Sequence, residues 1–251
     1  MDKISELWAK SIETLREEGI VSLIRKIFNY FIIFPYRRWR EHLKFLLWEK
    51  AGLLSLEMLY PQDYFESMTG DEQMEEANQF SAIFDELYHP ESIIDFGCGT
   101  GRFLKYYYDR DREILGLEKA LTAFEEAVVP RDNLKEHDLR KPYRAEKNFD
   151  LGICIEVIEH LPESSEEALL DTLTTNVDVL VLTAATPGQG GKHHVNEKPH
   201  EYWIKKVEKR GFSFMSEKTE KVKQQLDVEN MTYLEENLMV FEKQDKRLSG
   251  S

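Results

Sequence analysis

Cysteine is nearly missing from this chain: Cys98 and Cys154 are the only two among 251 residues. Two thiols build no disulfide framework, and each falls in a stretch that reads as a buried strand end or loop, so a reducing, cytoplasmic compartment is the expectation. Long apolar runs are missing too. Tyr30 to Phe34 falls far short of the roughly 20 residues that a membrane-spanning helix needs. Met1 to Gly19 is charged throughout rather than basic and then apolar, which argues against a secretory signal. Basic residues are outnumbered, 33 Lys and Arg against 47 Asp and Glu, and the resulting charge of −14 argues against a broad nucleic-acid footprint. There is no internal repeat and no low-complexity tract. What the length and the 41% hydrophobic content allow is one full α/β core with an extension.

The extension reads from the charge distribution. Between Ile20 and Lys50 stand seven bases and two acids, a net of +5, which leaves −19 for the rest of the chain. Ile4, Leu7, Trp8, Ile12 and Leu15 form a helical stripe, and Leu23, Ile24, Ile27, Phe28 and Phe31 form another that runs to Pro35. Trp39, Leu43, Leu46 and Leu47 follow it. Residues 1–70 are therefore expected to be a helical N-terminal extension, residues 71–245 the main domain and residues 246–251 a polar tail. Bases opposite Phe, Trp and Leu suit a helix lying in a membrane interface, which makes residues 20–50 a candidate for peripheral membrane contact. A helical cap on the body with its bases solvated fits the same pattern. Tyr60-Pro61-Gln62-Asp63-Tyr64-Phe65, just before the first core strand, is placed to cover a cofactor or to receive a substrate, or to serve as plain linker.

The main domain is organised around Ser92-Ile93-Ile94-Asp95-Phe96-Gly97-Cys98-Gly99-Thr100-Gly101-Arg102-Phe103-Leu104. A strand-like apolar run enters a loop with Gly at three alternate positions, and a helical pattern leaves it. An α/β fold presents backbone to a nucleotide-like ligand in this way. Gly97 and Gly99 allow a sharp turn and close approach of a ligand, Gly101 allows the next helix to pack close, Cys98 lies within the loop, and Asp95 sets a carboxylate beside it. The second strand, Glu113 to Glu118, ends in an acid 17 residues beyond Gly101, the reach at which a carboxylate meets ribose hydroxyls. Asn133 to Leu139 reads as a third strand, Phe149 to Cys154 as a buried central one and Asp178 to Thr183 as a fifth. The central strand runs into E-V-I-E-H-L-P, which places Glu156 and His160 where open α/β sheets bind ligands. A Gly- and His-rich loop, Ala184 to Pro199, carries His193 and His194 and suggests a substrate loop or lid. Phe212 to Ser216 and Asn237 to Phe241 are the last two strands.

The D-x-G-x-G-x-G form at Asp95 to Gly101 resembles motif I of the class I S-adenosylmethionine-dependent methyltransferases, and E-V-I-E-H-L-P resembles their stretch after the fourth strand. The resemblance covers about Ser92 to Phe241. It implies a Rossmann-like α/β fold with a seven-stranded, mostly parallel sheet and helices on both faces, the last two strands commonly forming an antiparallel hairpin. It also implies S-adenosyl-L-methionine as cofactor and S-adenosyl-L-homocysteine as product. Carried over residue by residue, the cofactor set is Asp95, Gly97, Cys98, Gly99, Gly101, Glu118, Asp138, Leu139 and Glu156, with Asp138 at the adenine amino group.

Transfer to a sugar or aliphatic hydroxyl wants a base or a metal, and His160, His193 and His194 are the candidate catalytic residues. The stretch H-V-N-E-x-P-x-E-Y-W is similar to one in methyltransferases of surface-glycan pathways. The first expectation is thus an O-methyltransferase acting on a small molecule or a glycan, including a lipid-linked one. A second reading takes E-x-x-E-H with His193 or His194, which resembles the metal set of small-RNA 3′-end methyltransferases and of some quinone-pathway ones. The string is also common in metal-free relatives, and no metal is assigned. A third is a non-catalytic cofactor-binding or membrane-peripheral module.

Overall fold

The computed structural model describes residues 59–244. The arm at residues 20–50 and the tail at 246–251 lie outside the described residues, and so does the membrane contact expected of the arm. No helix among the described residues is long and apolar enough to cross a membrane.

The order of elements is α1 (Gln62–Glu66), α2 (Asp71–Tyr88), β1 (Ser92–Phe96), α3 (Arg102–Tyr108), β2 (Glu113–Glu118), α4 (Leu121–Glu125), β3 (Leu134–Glu136), β4 (Phe149–Cys154), α5 (Glu166–Thr175), β5 (Val177–Thr183), α6 (His200–Glu208), β6 (Phe212–Phe214), α7 (Ser216–Gln225), α8 (Tyr233–Asn237) and β7 (Leu238–Lys243). One seven-stranded sheet runs β3-β2-β1-β4-β5-β7-β6. The first five strands in that order are mutually parallel, and β7 is antiparallel to both of its neighbours.

Period-two alternation divides the core between the two faces of the sheet. Ile93 of β1, Leu151 and Ile153 of β4, Val181 of β5 and Val240 of β7 pack with Phe80 and Phe84 of α2, Leu104 and Tyr107 of α3 and Val222 of α7. Their neighbours Ile94, Phe96, Cys154, Leu180, Leu182, Met239 and Phe241 face Leu169, Leu170 and Leu173 of α5 and the fully buried Trp203 of α6. Both faces of β4 are covered, as its continuous apolar run anticipates. Gly152 in that run is a packing requirement, since a Cβ there would stand 2.5 Å from Val177 Cγ1.

Several boundaries differ from the sequence reading. The third strand is Leu134–Glu136 rather than Asn133 to Leu139. It is an edge strand held on one side by β2, with Lys135 and Glu136 exposed, so little burial extends it. The sequence carries the helix after β2 from Leu121 to Val129, where Pro130 stops it, but it ends at Glu125, because Val128 donates its N–H to the Thr100 carbonyl at 2.9 Å and is drawn back to the Gly loop. The last two strands do pair antiparallel, but two helices separate them and no tight hairpin joins them. Helix α7 escapes a periodicity search since Thr219 and Val222 are its only buried residues. At the other end of the domain, His89 closes α2 in the left-handed conformation (φ 46°) just before Pro90.

Candidate active site

The glycines of the loop after β1 take conformations that side chains resist. Gly97, Gly99 and Gly101 have φ of 80°, 53° and 78°. A Cβ at Gly97 would stand 2.5 Å from Val157 Cγ2, and one at Gly101 would stand 2.7 Å from Val129 Cγ2. The loop is anchored to the next strand, because the N–H groups of Gly97 and Cys98 both donate to the Leu117 carbonyl, at 2.7 and 3.1 Å. Asp95, at the end of β1, is 2% exposed, and its Oδ2 has no hydrogen-bond partner among the described residues. Burial pushes its carboxyl up to about 8; Arg102 opposes the shift and Glu118 adds to it.

Glu118 ends β2 and faces the loop. Its Oε2 accepts the Gly99 N–H at 3.0 Å, and its Oε1 accepts those of Lys119 and Ala120 at 2.7 and 2.8 Å. One carboxylate therefore braces the loop from the neighbouring strand end, and its partial exposure leaves it open to a ligand. Asp138 lies two residues past β3. Burial alone would raise its pKa, but Arg140 and Lys119, the latter's Nζ at 2.7 Å, hold its carboxyl well below the usual carboxylate range. Leu139 beside it is buried in the core. Cys98 turns its side chain inward, since its Sγ occupies the space a Cβ at Gly116 would need, 2.6 Å away. Its main chain is engaged within the turn, the N–H by the Leu117 carbonyl and the carbonyl by the Gly101 N–H.

The ends of β4 and β5 gather the remaining residues. Glu156 has φ 55°, an uncommon conformation for a residue other than glycine. Thr183, at the end of β5, holds it there. The Glu156 N–H donates to Thr183 Oγ1 at 2.8 Å, and that hydroxyl donates to Glu156 Oε1 at 3.2 Å. Glu159 is fully buried and accepts the Ala185 N–H at 3.1 Å, while its main-chain carbonyl takes the N–H groups of Val195 and Asn196 at 2.8 and 3.1 Å. The start of the His-rich loop and its far limb are both pinned to this one residue. Burial, and then the Glu156 carboxylate, raise the pKa of Glu159, and a carboxyl oxygen of each lies within 4.8 Å of the other. Such a pair holds a proton or a cation between its oxygens.

The histidines converge on the same point. His160 and His194 meet edge to face with ring centroids 4.9 Å apart. Burial first, then His194 and His193, push the His160 pKa down to about 4, so its imidazole is neutral at neutral pH. His194 Nδ1 lies 3.4 Å from Glu197 Oε1, and Glu197 also accepts the N–H groups of Gly188 and Gly190 at 2.9 and 3.0 Å. Helix α1 closes over the top. Tyr60, just before it, places its Oη 3.2 Å from His160 Nδ1 and stands edge-on to His193 at 6.1 Å, while Phe65 lies in ordinary contact distance of Gly99. The segment therefore covers the Gly loop as well as touching the histidine cluster.

Chemistry-bearing side chains thus flank the Gly loop on both sides: Glu118 on the β2 side, Asp95 at its root, and the Glu156, Glu159 and His160 cluster on the β4 side. The family model described as a methyltransferase domain matches residues 69–224. The chain belongs to that methyltransferase family. Among solved structures, the sugar N-methyltransferase KedS8 from Streptoalloteichus sp. is similar to this methyltransferase over 73% of this chain and 92% of that one, at 13% identity and a TM-score of 0.54. The methyltransferase domain of bacterial CtHen1 is similar over 68% of this chain and all of that one, at 20% identity and a TM-score of 0.50. The glycopeptide N-methyltransferase MtfA in complex with S-adenosyl-L-homocysteine is 13% identical, with a TM-score of 0.47 over 66% of this chain and 86% of that one. No curated protein matches the chain.

The methyl donor of this methyltransferase is S-adenosylmethionine. The site fits it. A buried, unpartnered Asp95 oxygen suits an ammonium, and Glu118 suits ribose hydroxyls. Of the residues nominated from sequence, Asp95, Glu118, Glu156, Glu159, His160, His193 and His194 surround the loop and its flank, whereas Asp138 is engaged by two cations and the Cys98 side chain points toward Gly116 of β2. Sequence reasoning missed Tyr60 as a partner of His160, Thr183 as the clamp on Glu156, Glu197 beside His194, and Arg102. The signal for Thr183 was a polar residue ending a buried strand.

Proposed function

We propose that this methyltransferase acts on a hydroxyl oxygen of a small molecule or glycan, lipid-linked acceptors included. The observation that carries this reading is the half-buried, edge-to-face pair of His160 and His194 at the ends of the loops after β4 and β5, with the His160 imidazole kept neutral. A hydroxyl is a poor nucleophile until its proton leaves, and a neutral imidazole accepts that proton as the oxygen attacks. S-Adenosylmethionine, when bound, supplies a methyl group on a positively charged sulfur. Glu118, Asp95 and the loop backbone fix its position, so that the acceptor oxygen, the methyl carbon and the sulfur can lie in line. With that donor bound, an imidazole of the cluster would take the hydroxyl proton as the methyl group is transferred, and neutral S-adenosylhomocysteine would be the leaving group. Helix α1, with Tyr60 and Phe65 over the site, keeps water from competing.

A second reading rests on a specific grouping. Glu156, Glu159 and His194 each offer a donor atom within 4.8 Å of the others, a hard-and-borderline set suited to a divalent cation. In that case the cation, rather than imidazole, lowers the pKa of the acceptor hydroxyl. Turnover on hydroxyl acceptors with and without chelator separates the two. The base reading expects activity to persist after chelation, while loss of activity restored by magnesium or manganese supports the cation. No turnover of any hydroxyl acceptor, with metal or without, contradicts both.

A further inference from the structure

Glu166, the first residue of α5, is buried and has no part in the chemistry above. Its carboxylate accepts from three side chains. Asn196 Nδ2 donates to Oε1 at 3.1 Å, and Tyr202 Oη and Lys206 Nζ of α6 donate to Oε2 at 2.8 and 2.6 Å. Burial works against its charge, but Lys206, Tyr202 and Asn196 together hold the carboxyl below its ordinary value. Asn196 is buried in the far limb of the His-rich loop, two residues past His194, and its own N–H goes to the Glu159 carbonyl at 3.1 Å. One residue therefore ties the loop to the site through its backbone and to α5 through its side chain.

The rest of the loop is held as closely. Ala185 and Val195 donate their N–H groups to Glu159, Gly188 and Gly190 donate theirs to Glu197, and Thr186 donates its own to Gln189 Oε1 at 3.1 Å. That oxygen also accepts from Nδ2 of the buried Asn237 of α8, at 3.0 Å. A lid that opens gives its backbone N–H groups to water, whereas these are taken within the protein. His193 stands between the pinned Gly190 and Val195 with φ 64°, a conformation that a residue other than glycine keeps where its surroundings over-determine it.

We propose that the His-rich loop is a preformed platform rather than a lid, and that Asn196 and Glu166 are positioning residues that hold His193 and His194 on it. The cost of ordering the loop then falls in folding rather than at each binding event. The link from these two residues to turnover rests on the histidine chemistry proposed above; the platform itself does not.

Hydrogen exchange read by mass spectrometry on the full chain, with and without S-adenosylhomocysteine, tests the platform. Residues 185–197 should exchange slowly in the free protein, and the ligand should change their rate by less than about twofold. A loop that exchanges freely alone and gains about tenfold protection or more with S-adenosylhomocysteine is a lid, and overturns the proposal. Asn196→Ala and Asn196→Asp test the positioning. The second keeps the shape of the side chain and sets an acceptor where the donor to Glu166 stood, so it opens no cavity. Both should speed exchange across residues 185–197 about 10- to 100-fold, as expected for a lost hydrogen bond to a buried charge, and leave the β1 and β4 peptides unchanged. On hydroxyl acceptors both should lower kcat about tenfold or more, with S-adenosylhomocysteine affinity within about twofold. Faster exchange with unchanged kcat would overturn the positioning role. No turnover of any hydroxyl acceptor by wild type would overturn the oxygen reading instead, and the wild-type exchange pattern would still decide between platform and lid.

Discussion

Glu118→Ala lowers affinity for S-adenosylhomocysteine by about a hundredfold or more in calorimetry, because the substitution removes two things at once. The first is a carboxylate acceptor for ribose hydroxyls, and charge-assisted hydrogen bonds of this kind contribute about 1.5–3 kcal/mol each. The second is the brace on the loop, since Gly99, Lys119 and Ala120 all donate their N–H groups to that side chain. Glu118→Gln separates the two effects in part. It keeps one acceptor oxygen for the loop but sets an NH2 donor against the N–H groups that the second carboxylate oxygen accepts, so part of the brace goes with the charge. An intermediate loss, about tenfold, is expected for it. If Glu118→Ala bound the ligand as wild type does, the nucleoside would have to lie elsewhere.

Glu159→Gln is the second large effect, and it falls on turnover rather than on cofactor binding. Glu159 is fully buried between the end of β4 and the His-rich loop, where a carboxyl oxygen of Glu156 lies within 4.8 Å of one of its own. Glutamine matches its shape and imitates its protonated form, so the domain folds and S-adenosylhomocysteine affinity stays within about twofold. Proton transfer or cation binding at the pair is lost, however, and kcat should fall about 10²- to 10⁴-fold, the usual range for a positioned acid–base group. Stability gives an independent readout. Burial and Glu156 raise the folded-state pKa of Glu159 above its ordinary value, so the folded protein keeps a proton that the unfolded chain releases. Wild-type stability therefore falls as pH rises from the ordinary carboxylate range toward the raised folded-state value. Glu159→Gln, with no proton to lose, flattens that fall in denaturant titrations at several pH values. An unchanged kcat would remove Glu159 from the chemistry.

How far the site can be read from sequence depends on how local its causes are. The passage from Asp95 to Arg102 is legible because a buried strand, a turn with positive φ and a helix start each leave their mark within a few residues. Glu118 is legible for a related reason, as the acid ending the next parallel strand. The E-V-I-E-H-L-P stretch also reads clearly, although the left-handed backbone at Glu156 does not. That conformation depends on Thr183, 27 residues away and adjacent only because β4 and β5 pair. Tyr60 and His160 are 100 residues apart and meet only through the fold. Arg102 stands inside the legible motif, yet its partner Tyr233 lies 131 residues on, in a short helix that shows no apolar stripe. Asp138 is legible as an acid after the third strand, but its ion pairs with Lys119 and Arg140 are not, since Lys119 belongs to the neighbouring strand end and meets it only through the sheet.

The proposed chemistry is activation of an oxygen by the His160 and His194 pair beside Glu159. Its most direct test uses S-adenosylmethionine carrying a carbon-13 methyl group, offered with acceptors that bear both hydroxyl and amino groups, with the product linkage assigned by nuclear magnetic resonance. The account predicts label on oxygen as a methyl ether, formed by wild type and all but lost in Glu159→Gln. Label found only on nitrogen, at equal rates in wild type and variant, would contradict it.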